Sequence, residues 1–291
     1  MTLKEICEKL DFPVDATACM MQAMDTLSAR CDVQVRFAQI REKLWQADKT
    51  FLDALQEIAE AYGIERYTLD MLFLLCSVPA LRQEYIRRGV AESILWDTVK
   101  DLRYKLLECY DNHGIWGTFV TFWYPGFYRC ERFALGRLQY EKRQFSQPGY
   151  GDILKEGDTV LNCHIPSSGP LPYDAVMDSL RRAYEFYPDV RVGRWMPVVC
   201  HSWLLYPPHR ELLGGNAKAF YDLFDVIAAK LSESNGDFWR IFNRPFSEEN
   251  LATAREDTSL RRRFKAFLTA GNNMGCGYGV LLFDGERVVR P

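Results

Sequence analysis

The stretch Thr159-Val-Leu-Asn-Cys-His-Ile-Pro-Ser-Ser-Gly-Pro-Leu-Pro172 decides the fold class. Its first seven residues form a compact apolar run of strand length, followed by a loop of prolines and small residues. Beyond the loop, Val176, Leu180, Ala183, Tyr184 and Tyr187 recur at helical spacing. A strand that passes through such a loop into an amphipathic helix is one half of a strand-helix-strand unit. The alternation continues with a strand over 197–206 and a helix over 216–231, whose stripe is Ala217, Phe220, Tyr221, Phe224, Ile227, Ala228 and Leu231. A short strand follows over 238–242, then a helix over 259–268 and a final strand over 278–289. This order calls for an α/β layer domain. Upstream, 133–142 reads as one strand whose apolar parity switches at Gly136, which predicts a bulge there.

Working back to the N-terminus, the pattern is helical throughout residues 1–112. Thr2-Leu-Lys-Glu5 is a capping box. Apolar residues then recur three and four apart, as in Phe51, Leu52, Leu55, Ile58 and Ala59, with Gly63, Pro79, Gly89 and Gly114 as punctuation. No longer repeat is present, so a bundle is expected and a solenoid is not. The sequence therefore reads as an α+β protein of two domains: a helical bundle over 1–114 and an α/β domain over 115–291.

Composition narrows the function classes. The chain has 291 residues, 48% hydrophobic and 26% charged, with a net charge of −3. That is globular composition, with no broad basic field for nucleic acid or anionic lipid. The first 115 residues are slightly acidic and the remainder slightly basic, which suits an anionic ligand in the second half. The N-terminus lacks the uninterrupted apolar stretch of a signal peptide, and no apolar run approaches the roughly 20 residues of a membrane span. Nine cysteines without any C-x-x-C pair, including the evenly spaced Cys7, Cys19 and Cys31, read as reduced structural thiols of a cytoplasmic protein without a metal site.

Five features can carry chemistry. Ser167, Ser168 and Gly169 lie between a strand and a helix, where backbone N–H groups and the helix dipole favour a phosphate; an ordinary proline-led helix start competes with that reading. His164 and His201, two of only four histidines, fall near the ends of what should be neighbouring strands. Ligands of open α/β sheets bind at such ends, and an imidazole there can take a proton at neutral pH. A core histidine held by hydrogen bonds is the competing account of each. Asn216 follows two glycines as an N-cap, and Tyr221 lies one turn on as a phenolic proton donor or a packing residue. The run Gly271-Asn-Asn-Met-Gly-Cys-Gly-Tyr-Gly279 reads as a helix stop and a bulge, or as a close backbone approach to a ligand. Arg261-Arg-Arg263 reads as a solvated face, with a phosphate contact as the second reading. No nucleophile elbow is present.

Four stretches together resemble a bacterial two-domain acyltransferase family, with a helical N-acyltransferase N-terminal domain and a GNAT-like C-terminal domain. They are Arg132-Phe-Ala-Leu-Gly-Arg-Leu-Gln-Tyr-Glu141, Leu161-Asn-Cys-His-Ile-Pro166, Cys200-His-Ser-Trp-Leu-Leu-Tyr-Pro207, and Asp257-Thr-Ser-Leu260 with the glycine run after it. The resemblance implies a mixed central sheet in which acetyl-CoA or another acyl-CoA, as co-substrate, sits in a splay between parallel strands 159–165 and 198–206. It places the diphosphate on Ser167, Ser168 and Gly169 and the pantetheine arm at Asn216. It makes Tyr221 the acid, although that residue comes five positions after Asn216 where seven is usual. His164 or His201 would be the base, with a small-molecule or peptide amine as acceptor in a groove near Trp116, Trp123 and Trp203. The usual Gln/Arg-x-x-Gly-x-Gly/Ala run of the phosphate loop is absent. That absence keeps open an alternative: a non-catalytic module that binds acyl-CoA or another anionic metabolite.

Overall fold

The computed structural model describes residues 1–30 and 32–289, so Cys31 lies outside the described residues. The chain divides into two compact units, Met1–Ala134 and Leu135–Pro291.

The first unit is helical: α1 (Leu3–Lys9), α2 (Val14–Ser28), α3 (Val33–Trp45), α4 (Thr50–Tyr62), α5 (Arg66–Arg87), α6 (Glu92–Val99), α7 (Asp101–His113) and the short α8 (Pro125–Tyr128). The capping box forms as read: Glu5 N–H donates to Thr2 Oγ1, and Thr2 N–H donates to Glu5 Oε2 at 2.7 Å. Gly63 and Gly114 end α4 and α7 in the left-handed conformation, as their positions foretold. Pro79 does not punctuate; it lies inside α5. That helix is the hub of the unit, because α1, α2, α3, α4, α6 and α7 all pack on it. Burial of Leu69, Leu72, Leu75, Val78 and Leu81 overrides the proline's local cost. The aromatic stretch that follows α7 is pinned back to α5. Thr118 N–H donates to Tyr67 O, Thr68 Oγ1 donates to Trp116 O, and Thr121 Oγ1 donates to Asp70 Oδ2.

At the unit boundary, β1 (Arg132–Leu135) is followed by β2 (Leu138–Gln144). The parity switch at Gly136 is therefore a turn between two strands and not a bulge in one; Gly136 has φ +77°. The second unit continues with the small pair β3 (Gly149–Tyr150) and β4 (Leu154–Lys155), then β5 (Thr159–His164), α9 (Tyr173–Phe186), β6 (Met196–Ser202), α10 (Gly215–Tyr221), β7 (Asp225–Leu231), α11 (Trp239–Phe242), α12 (Glu248–Ala252), α13 (Ser259–Thr269), β8 (Gly275–Phe283) and β9 (Val288–Val289). Two expected elements change type. The helix read over 216–231 stops at Tyr221 and becomes β7, and the strand read over 238–242 is helix α11. The strand expected over 197–206 leaves the sheet after Ser202 as a helical turn.

The sheet is mixed, in the order β2-β5-β6-β8-β7, with β9 on β8. Among the described strands from β2 onward, β5 and β6 alone run parallel. One face packs on α9, where Leu138 N–H donates to Ser179 Oγ and Tyr187 Oη donates to Tyr140 O. On the other face Phe145, Tyr150 and Leu154 cover Val160, Val199, Val280 and Leu282.

The glycine run of β8 is a close backbone approach, and the approaching backbone is the chain's own. A Cβ on Gly277 would lie 1.9 Å from Leu205 O, and one on Gly279 would lie 2.8 Å from Leu205 Cδ1 and from Phe224 Cβ. The turn after β6 thus crosses β8 in a furrow that side chains would fill. Gly277→Ala should cost at least about 2 kcal/mol in urea unfolding, because the obstacle is backbone and cannot swing aside. Gly157→Ala, at φ +87° with no neighbour within 4 Å of a Cβ, should cost only about 1 kcal/mol.

Candidate active site

Strand register and the period of two bring distant residues to one face. Glu141 on β2 stands opposite Asn162 on β5, and Gln139 stands opposite His164. Asn162 pairs with Val199 on β6, so His164 and His201 both fall beyond that pair on the same face. The parallel pairing consists of two rungs, Leu161 with Val198 and Asn162 with Val199.

Glu141, His164 and Asn162 form one polar cluster. His164 Nε2 lies 2.9 Å from Glu141 Oε1, and Asn162 Nδ2 lies 3.3 Å from the same oxygen and 3.1 Å from the imidazole nitrogen. Arg143 Nε donates to that oxygen at 3.0 Å. The Glu141 side chain is 6% exposed and that of His164 20%, so the carboxylate is buried while the ring reaches the surface. A buried carboxylate is tolerated when donors converge on it, and here three residues supply them. Sequence reading missed Glu141. Its only trace was its place at the end of the Arg132–Glu141 stretch, because nothing in a sequence reveals strand register.

The loop after β5 is held from outside. Arg137, next to Gly136 in the turn before β2, donates from Nε to Pro170 O at 2.8 Å, from Nη1 to Pro166 O at 3.1 Å and from Nη2 to Gly169 O at 2.7 Å. One planar guanidinium thus fixes three carbonyls of a loop that has no regular structure. Gly169 takes φ +96°, a conformation reserved for glycine. Among the described residues, the N–H groups of Ser167, Ser168 and Gly169 donate no hydrogen bond. With its carbonyls turned to Arg137, the loop has donors to offer a ligand.

Other predicted residues stand apart from this cluster. His201 is exposed and opposite Tyr278 on β8. Asn216 is exposed and is not the cap of α10; Gly214 is, without a side-chain bond. Tyr221 lines an open hollow of about 480 Å³ with Pro207, Arg210, Asp222, Phe224 and Asp225. That hollow lies at β7, three strands from β5, or roughly 14 Å at the usual strand spacing. Burial raises the Tyr221 phenol above its ordinary value of 10. Trp116 stacks on Tyr110, Trp123 lies under the Arg132 guanidinium at 3.6 Å, and Trp203 packs edge-on to Phe264. Of the arginine run, Arg261 binds Asp257 and Ile241 O, while Arg262 donates to Glu256 O. Among the described residues no group of three His, Cys, Asp or Glu side chains is placed to hold a metal, and no helix is long and apolar enough to cross a membrane.

The fourth histidine, His209, is fully buried among Trp203, Tyr206, Phe264 and Phe267, with Nδ1 donating to Trp203 O at 2.8 Å. Burial lowers its pKa below 6.5. In acid the unfolded chain then binds the extra proton, so this residue's contribution is complete above pH 6.5 and is lost as pH falls below it.

Two family models match the chain: the N-acyltransferase N-terminal domain over residues 1–130 and the GNAT-like C-terminal domain over residues 133–281. No curated protein matches it. Among solved structures, an acyltransferase in complex with decanoyl-CoA and teicoplanin is similar at TM-score 0.70 and 20% identity, covering 95% of this chain and 86% of that one. An acyltransferase in complex with decanoyl-CoA gives TM-score 0.67 and 19% identity, covering 96% and 99%. At such identities the likeness speaks to the fold.

Two outcomes follow from this geometry. Arg137→Gln should open the 166–170 loop to limited proteolysis, and Arg137→Lys should not restore protection, because one ammonium cannot replace the fork. Relative to the wild-type chain, His209→Phe should show higher urea stability at pH 5.5 when each is referenced to its own value at pH 7.5.

Proposed function

The chain belongs to the acyltransferase family that joins an N-acyltransferase N-terminal domain to a GNAT-like C-terminal domain, and from that premise we propose that it transfers an acyl group from acyl-CoA to an amine. The observation that carries the reading is the two-rung parallel seam between β5 and β6, beyond which both strands continue with His164 and His201 on one face. The loop that leaves β5 presents the N–H groups of Ser167, Ser168 and Gly169, which suits the diphosphate of CoA.

In this reading the thioester supplies an activated carbonyl and a good leaving group. The chain's own residues bind the nucleotide end at 167–169, polarise the carbonyl with a backbone N–H near the end of β5, and take the proton from the attacking amine on a histidine. His164 suits that role better than His201, because its ring is held by Glu141 and largely shielded from water. Asn216, in the first turn of α10, is the proposed contact for the pantetheine arm, and the return of the proton to sulfur is assigned to the histidine in place of Tyr221. The acyl group is acetyl in the first instance, although similar acyltransferases hold octanoyl-CoA and decanoyl-CoA. One of them also holds teicoplanin, which favours a small-molecule or peptide acceptor here.

Binding and turnover test the reading separately. CoA, acetyl-CoA or octanoyl-CoA at 100 times its dissociation constant should stabilise the folded chain by about 2.7 kcal/mol. Ser168→Asp, which sets a carboxylate against the diphosphate, should abolish that stabilisation. Thiol release from the same thioesters in the presence of primary amines reports transfer. Stabilisation without release across the amines would identify a binding module, and neither response at millimolar thioester would overturn the acyl-CoA reading.

A further inference from the structure

We infer that Glu141 is a positioning residue for His164, fixing the imidazole as its Nε2–H tautomer so that the proton-accepting lone pair lies on Nδ1. The inference rests on the acyl-transfer reading and extends it to a residue on a neighbouring strand. Its observations are geometric. Glu141 Oε1 is the common acceptor for His164 Nε2 at 2.9 Å, Arg143 Nε at 3.0 Å and Asn162 Nδ2 at 3.3 Å. Arginine is always a donor and the asparagine amide nitrogen always one, so the oxygen collects N–H groups and is the acceptor for the third. Asn162 Nδ2 also lies 3.1 Å from His164 Nε2, a contact that by itself fits either tautomer, so the assignment rests on the shorter contact of the ring nitrogen to the carboxylate.

Burial gives the arrangement its force. Glu141 is the most enclosed member of the cluster, and the energetic cost of an ionised carboxylate there is met by the donors around it. A lone strand histidine would rotate and exchange tautomers; one tied to a buried anion keeps one ring orientation. The anion also favours the imidazolium that forms when the ring takes a proton.

The reaction then balances on one ring. As the amine nitrogen bonds to the thioester carbonyl carbon, its proton passes to His164 Nδ1. When the tetrahedral intermediate collapses, the C–S bond breaks, its electron pair stays on sulfur, and the imidazolium Nδ1–H returns the proton to the thiolate. The products are an amide and free CoA thiol, with the histidine neutral again. No separate acid is required.

The test has two readouts on the full-length chain. Long-range ¹H–¹⁵N correlation of the histidine rings, with His164→Gln to assign the signals, should show His164 protonated on Nε2 in the neutral wild-type chain. In Glu141→Met that preference should disappear. In Glu141→Gln, whose amide oxygen still accepts a hydrogen bond, the tautomer should remain. Thiol release from acetyl-CoA or octanoyl-CoA with a primary amine should show kcat lowered at least about tenfold in both variants, with KM for the thioester within twofold of wild type. Glu141→Gln also serves if Glu141→Met fails to fold. An Nδ1–H tautomer in the wild-type chain, or wild-type kcat in either folded variant, overturns the inference. An Nε2–H tautomer with no turnover in the wild-type chain overturns the acyl-transfer reading instead.

Discussion

Everything in the second unit depends on a seam of two backbone rungs. On one side β2 and β5 pair antiparallel over six residues, from Gln139 with His164 to Gln144 with Thr159. On the other, β6 and β8 pair antiparallel over seven, from Met196 with Phe283 to Ser202 with Gly277. The two blocks meet where Leu161 faces Val198 and Asn162 faces Val199. A parallel connection needs a long crossover, and α9 supplies it while covering one face of the sheet. The short seam has a chemical consequence. The ends of β5 and β6 are bound firmly to their outer neighbours and only briefly to each other, so rigid strands border an opening that need not be cut into a core.

That rigidity explains how a costly polar cluster persists beside an apolar one. Val160 lies one step below Asn162 on the same face and Val199 faces Asn162 across the seam, both sealed by Phe145, Tyr150 and Leu154. They form a dry floor on which a carboxylate, an imidazole and an amide stand. The low-dielectric neighbourhood strengthens the hydrogen bonds to Glu141 and makes an unpaired version of that group expensive. The exposed Arg143 adds little by charge alone, since solvent screens it, so Asn162 and His164 carry most of the compensation.

What the sequence revealed and what it hid divide along the range of the interactions. The Thr2–Glu5 box, the glycine helix ends, β5 and α9 all rest on neighbours within a few residues, and they were legible. The element over 216–231 was not. Its apolar residues satisfy a helical spacing as far as Phe224, but β7 is an edge strand with several exposed positions, so its pattern lacks the alternation of a half-buried strand. Phe238, Ile241 and Phe242 were apolar enough for a strand, yet they are the buried side of a single helical turn. The histidines were found by residue type, whereas Glu141 is separated from His164 by 23 positions and joined to it through register alone. Arg137 was hidden for the same reason, its three acceptors lying about thirty residues away.

The placement of Tyr221 bears on how a proton returns to sulfur. Its phenol is raised by burial and so is a weak acid, and it sits at the β7 edge beside Arg210, while the candidate base stands on β5. A proton donor must come within about 3 Å of the atom it serves, and two strands, β6 and β8, lie between β5 and β7. A ring that has just taken the amine's proton is by contrast already beside the reacting carbon. The same position therefore serves both halves of the transfer, and the pressure on the fold falls on orientation. A shuttle must face the incoming nitrogen and then the departing sulfur with one nitrogen atom. A buried anion that fixes the other nitrogen, on a strand paired rung by rung with the shuttle's own, is the economical way to hold it there.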